Sequence, residues 1–222
     1  MNFLKNLAFT LTLLLAAQIA YGQQVSIGLR AGASYFTVHD EQLDDALYDL
    51  GMDFALPVEI SLSPLFSIQP ELHFTQKGTA FESTTDGMDH RLALKTNYLE
   101  LPVLLKANYG ADRFQCNVFV APSLGYALNR YTTEQLGDAD KVKEDVDFID
   151  EGPIQSQRWD VSVLGGIGAS LQAGPGRVVI DARYSFGLMD SAKFEDDRPD
   201  DWTRTTNRGC TLSVGYMVPL NR

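Results

Sequence analysis

Nine ionisable residues share one side of the alternating segments in this chain, and they are the candidates for chemistry: Arg30, Glu59, Glu71, His73, Lys77, Glu100, Lys106, Asp181 and Arg183. His73 stands two residues from Glu71, so on an extended strand both side chains share a face. With a serine in reach, a histidine and a carboxylate could activate a nucleophile for acyl transfer. Leaving His73 aside, four cations face four carboxylates, which instead points to a neutral set of paired ions. An unpaired ion in a dry, narrow interior costs several kcal/mol, so balanced charges there must be paired and hydrogen-bonded.

The catalytic reading finds little support. His39 and His90 fall in polar connecting segments, leaving His73 as the one inward histidine. Gly32-Ala33-Ser34 and Gly168-Ala169-Ser170 lack the glycine-flanked serine elbow of hydrolases. No Cys or His pair has metal-ligand spacing. Gly165-Gly166-Ile167-Gly168 lies within a strand rather than before a helix, so it is no phosphate loop. Asp138, Asp140 and Glu144 superficially suggest a calcium loop, but Lys143 stands where glycine is needed and Ile149 where the final glutamate belongs. The expectation is a non-enzyme with no cofactor and no metal, in which the nine charges form a structural network.

The elements that position these charges are eight amphipathic strands, expected at 25–36, 52–63, 66–77, 96–109, 114–128, 158–173, 177–188 and 208–220. The last shows the pattern best. Cys210, Leu212, Val214, Tyr216, Val218 and Leu220 alternate with Thr211, Ser213, Gly215, Met217 and Pro219, giving one greasy face and one small or polar face. Ser63-Pro64-Leu65, Gly110-Ala111-Asp112-Arg113 and Gly174-Pro175-Gly176 are tight links built from turn residues. The other connections, 37–51, 79–95, 129–157 and 189–207, are long and polar. Alternating short and long links are expected of an antiparallel up-and-down barrel with one rim on each side of a membrane. With an even strand count both termini lie on the short-turn rim, here expected to be periplasmic.

Residues 1–22 read as a signal peptide: Lys5, an apolar core from Leu7 to Ala17, then Ala20-Tyr21-Gly22 before a cleavage point at Gln23. Residues 23–222 then form a single domain. No later stretch reaches 18 apolar residues, so a membrane helix is excluded and only a closed barrel could cross lipid. Without Lys5 the mature chain carries 17 basic and 29 acidic residues, a net charge of −12 that argues against nucleic acid. The four long links hold 22 of the 29 acids and 8 bases, a solvated outer surface with the option of divalent-cation bridges to lipopolysaccharide. Cys116 and Cys210 fall on the greasy parity of non-adjacent strands at opposite rims, too far apart for a disulfide.

Two barrels fit this sorting. In a soluble lipocalin-like barrel the greasy face lines a ligand cavity; in a membrane barrel it meets lipid. Gly28, Gly32, Ser34, Gly125, Gly166, Gly168, Ser170, Gly187 and Gly215 share the charged parity. Small residues suit the crowded interior of an eight-stranded barrel, and aromatics near strand ends suit interfacial girdles, so the membrane form is expected.

Asn97-Tyr98-Leu99-Glu100-Leu101-Pro102-Val103-Leu104-Leu105-Lys106 resembles the hallmark strand of the PorT-like family of small bacterial outer-membrane barrels. Pro70 to Gly78, Ala121 to Tyr126 and Asp181 to Leu188 are similar to other strands of the same family. The resemblance implies a Gram-negative outer-membrane location and, from the founding member, a secretion-accessory role. The residues themselves favour a monomeric scaffold whose partners are outer-membrane lipid, lipopolysaccharide and proteins meeting the four long links.

Overall fold

A computed structural model describes residues 24–40, 46–85, 88–111, 113–137, 139–194 and 203–220. The expected leader, and its boundary at residue 22, lie outside these residues. Eight long strands form a closed antiparallel ring among them: β1 (Val25–His39), β2 (Leu47–Ser61), β3 (Phe66–Thr85), β4 (Met88–Ala111), β5 (Phe114–Leu136), β8 (Trp159–Ala173), β9 (Gly176–Gly187) and β11 (Thr206–Pro219). Neighbours in sequence are neighbours in the ring, and β1 pairs with β11 to close it. Three short strands lie outside the ring: β6 (Val142–Val146) extends the edge of β5, and β7 (Ile154–Ser156) pairs with β10 (Ala192–Phe194).

The pleat sorts side chains as their chemistry requires. Leu29, Ile167 and Leu212 point outward and are 68%, 63% and 62% exposed, whereas Arg30, Glu71 and Lys77 point inward at 2–3%. A water-soluble barrel could not bear that outward face, so the lipocalin-like alternative is overturned. Aromatic residues mark both ends of the apolar band. Tyr35 stacks on Tyr48 and Tyr126 meets Trp159 edge to face on one side; Tyr109, Phe114 and Tyr216 lie toward the other. Cys116 and Cys210 are free and exposed on this outer face.

The short-turn rim follows the turn residues. Gly174 takes a φ of 61°, a left-handed value that glycine adopts without steric cost, to reverse the chain between β8 and β9. At the opposite rim the expected strand ends must be corrected. Residues 79–95 are not a loop: β3 and β4 stay paired from Phe66↔Ala107 to Thr85↔Met88. The first part of 129–157 continues β5 to Leu136, and 37–51 is shortened because β1 runs to His39 and β2 begins at Leu47. A bilayer is crossed by about 9–11 residues of tilted strand, so much of the 24-residue β4 projects beyond it. One-residue register shifts at Tyr48/Asp53 and at Asn97/Tyr98 fall near the place where these hairpins leave the ring, as bulges at barrel rims do.

Candidate functional site

The ring brings its inward charges together in three tiers. Nearest the short turns, Lys106 on β4 lies 3.0 Å from Glu59 Oε2 on β2 and donates to Gln69 Oε1 on β3 at 2.8 Å. Arg177 on β9 reaches the same Glu59 oxygen at 2.6 Å. Gln69 joins this tier to the next by donating to Glu71 Oε1 at 2.6 Å.

Glu71 centres the middle tier. Arg30 on β1 holds it with two hydrogen bonds of 2.9 and 3.1 Å, and Arg183 on β9 binds it at 2.9 Å from the far wall. Asp181 balances the second positive charge, taking Arg30 at 2.8 Å, Arg183 Nε at 3.0 Å and the Ser213 hydroxyl at 3.2 Å. Arg183 also lies 5.4 Å from the centre of the Phe119 ring. That ring fits because residue 166 is glycine; a Cβ there would come within 2.8 Å of it. Phe119, Leu104, Ala121 and Leu164 form a small apolar cluster inside the barrel.

The third tier faces the projecting hairpins. Lys77 on β3 bridges Glu100 on β4 and Asp160 on β8, each at 2.6 Å, and lies near the rings of Phe36 and Tyr98. Asn207 donates to the same Asp160 oxygen at 3.3 Å. His73 sits between two carboxylates, with Nε2 hydrogen-bonded to Asp53 and Nδ1 3.6 Å from Glu100. Farther out, Asp49 receives Arg91 at 3.1 Å and Lys95 at 3.0 Å. Burial works against the Arg91 charge, but hydrogen bonds to Asp49 and Glu82 outweigh it and hold that guanidinium above its ordinary range.

All nine candidate charges thus face one interior and share ion pairs or hydrogen bonds within it. Four further members are missed by the sequence reading: Asp53, Asp160, Gln69 and Arg177. Their signal is present. Asp53 shares the parity of Glu59, Asp160 that of Gly166, Gln69 that of Glu71, and Arg177 that of Asp181. Including them, the tiers hold carboxylates at 53, 59, 71, 100, 160 and 181 against cations at 30, 77, 106, 177 and 183 plus His73. What the arrangement does chemically is neutralise its own charges across the barrel interior. His73 is fixed between acids and has no nucleophile among its described partners.

A ring of eight antiparallel strands, greasy outside and ionic within, defines the class: a transmembrane β-barrel of outer-membrane type. The family model for the outer membrane protein beta-barrel domain matches residues 16–193, and the chain belongs to that family. Among solved structures, the chain is similar to a major outer membrane protein from Thermus thermophilus, at 11% identity and a TM-score of 0.46, covering 88% of this chain and 99% of that one. It is similar to Neisserial surface protein A, at 13% identity, a TM-score of 0.43, and 86% and 96% coverage. A third similar structure is Ail, the attachment invasion locus protein of Yersinia pestis, in complex with the heparin analogue sucrose octasulfate (14% identity, TM-score 0.40, coverage 87% and 99%). No curated protein sequence matches.

Proposed function

We propose that this chain is a closed outer-membrane scaffold that carries recognition surfaces on its projecting hairpins. The observation that carries the reading is the tiered ion network: its bonds cross the barrel, as from Arg183 to Glu71, rather than line a channel wall. A lumen occupied in this way is a plug, and function then falls to what the rigid frame displays. The displayed regions are 37–51, 79–95, 129–157 and 189–207, acidic on balance and built partly of paired strands. In this reading the chain is exported by its leader, both termini are periplasmic, the apolar band contacts lipid and lipopolysaccharide, and the barrel is a non-catalytic monomer.

A secretion-accessory role is the second reading, favoured by the PorT-like segments. Those segments supply Glu71, His73, Lys77, Glu100, Lys106, Asp181 and Arg183. The resemblance therefore tracks the interior network, a property of the frame, more than any partner surface. Deleting residues 137–156 separates the readings. Loss of surface adhesion with normal secretion supports the scaffold; normal adhesion with lost secretion supports the accessory role. Co-purification from native outer membrane then identifies the partner.

A further inference from the structure

The barrel interior is not filled evenly from end to end. At the short-turn rim it opens into a polar vestibule of about 390 Å³, within the range of small-ligand pockets. Its inner end meets the first ion tier: Gln115, Ser170 and Arg177 line both the vestibule and the small void of about 20 Å³ beneath it, which has room for roughly one water. The vestibule is therefore blind, with Arg177 at its floor and the Lys106–Glu59 pair behind.

We infer that this vestibule is a binding site for the carboxylate-bearing end of an extended peptide. The described residues around it include Arg113 and Arg177 and no Asp or Glu, although the chain as a whole is strongly acidic. An anion would therefore meet two guanidiniums, with no carboxylate among the described residues of the wall. Arg177 spends one amino group on Glu59, while its Nε is buried with no hydrogen-bond partner among the described residues. The part of Arg177 open to an incoming oxygen is the 23% of its side chain left exposed. Guanidinium forks also match carboxylate geometry in two parallel bonds.

The remaining wall selects a peptide over a bare inorganic anion. Gln24, Gln115 and Gln172 contribute side-chain amides. Such amides both donate and accept, and so complement the N–H and C=O groups of a peptide backbone. The amide nitrogen of Gln172 already donates to the Gly174 carbonyl at 3.1 Å, which leaves its oxygen to accept. Phosphate offers mainly acceptors and would leave those amide oxygens unused. The site lies at the opposite rim from the projecting hairpins, so it is independent of what they bind.

Calorimetric titration of the full barrel in detergent micelles tests the assignment with three probes: acetyl-trialanine as the free acid, its carboxy-terminal amide, and inorganic phosphate. The free acid is expected to bind, with the amide at least about tenfold weaker, as loss of one charge-assisted hydrogen-bond partner predicts. Arg113→Gln, in the exposed turn, should weaken the free acid about tenfold. Gln172→Glu, which adds a repelling carboxylate at the mouth without touching the ion tiers, should do the same. Absence of heat with the free acid, equal binding of acid and amide, phosphate binding as tightly as the peptide, or indifference to both variants would each overturn it.

Discussion

Arg183 and Glu71 meet at 2.9 Å although their strands, β9 and β3, stand opposite one another in the eight-membered ring. The contact spans the interior from one wall to the other at that level. Arg30 joins the same carboxylate from β1, so one buried acid ties three strands together. The pair is fully desolvated, with side-chain exposures of 1% and 0%.

That geometry makes Glu71 the costliest interior charge to remove. Glu71→Ala leaves two buried guanidiniums short of a partner and should destabilise the barrel by about 3–5 kcal/mol. Replacing Arg30, Glu71, Asp181 and Arg183 together by methionine, leucine, leucine and methionine should recover most of the loss, since a whole buried ion group can be exchanged for apolar packing at little cost. Urea titration followed by tryptophan fluorescence checks both. Equal stability of Glu71→Ala and wild type would show that the tier is not closed.

Adjacent residues of β11 should respond in opposite ways to polarity. Leu212 faces outward and Ser213 inward. Leu212→Arg places a charge against lipid and should cost about 2–4 kcal/mol in vesicle unfolding titrations. Ser213→Ala loses one hydrogen bond to Asp181 and should cost about 1–2 kcal/mol. If Leu212→Arg were tolerated, the greasy face would not be in hydrocarbon.

Barrel closure depends on a tight seam between β1 and β11. A Cβ on Gly32 would lie 2.6 Å from Ser213 Cβ and closer still to the Leu212 carbonyl oxygen, so Gly32→Val should block the seam. At Gly165 a Cβ meets nothing within 4 Å, and Gly165→Val should refold normally. The heat-dependent gel mobility typical of closed barrels reads the difference. A folded Gly32→Val with native mobility would contradict the observed register.

Both thiols should be free and shielded from water by lipid. In vesicles, Cys116 and Cys210 are expected to resist a charged maleimide yet take two labels after unfolding without reductant. Mass spectrometry reads the count. A 116–210 linkage would overturn the strand order, because β5 and β11 are not neighbours.

Strand identity is legible wherever one side of a strand meets lipid and the other does not, since only that asymmetry writes a period of two into hydropathy. From Val25 to Leu29, or Leu99 to Leu105, the pattern is plain. It fades from Thr79 to Lys95, where Glu82, Ser83, Thr84, Asp89, His90 and Arg91 break the alternation, and so periodicity alone ends β3 and β4 too early. Asp53 and Arg177 are obscured for a related reason: they lie near the ends of the alternating segments, where the pattern is weakest. Which charges pair is beyond the sequence altogether. Lys77 and Asp160 are 83 residues apart, and only closure of the ring brings them to 2.6 Å.

Planar-bilayer recording of the refolded protein tests the plugged lumen most directly. The tiers of ion pairs predict a quiet membrane, with no steady conductance in the nanosiemens range at neutral pH. Sustained nanosiemens steps from the wild-type barrel would mean that water and ions pass where Arg183 meets Glu71, and the closed-scaffold account would fall.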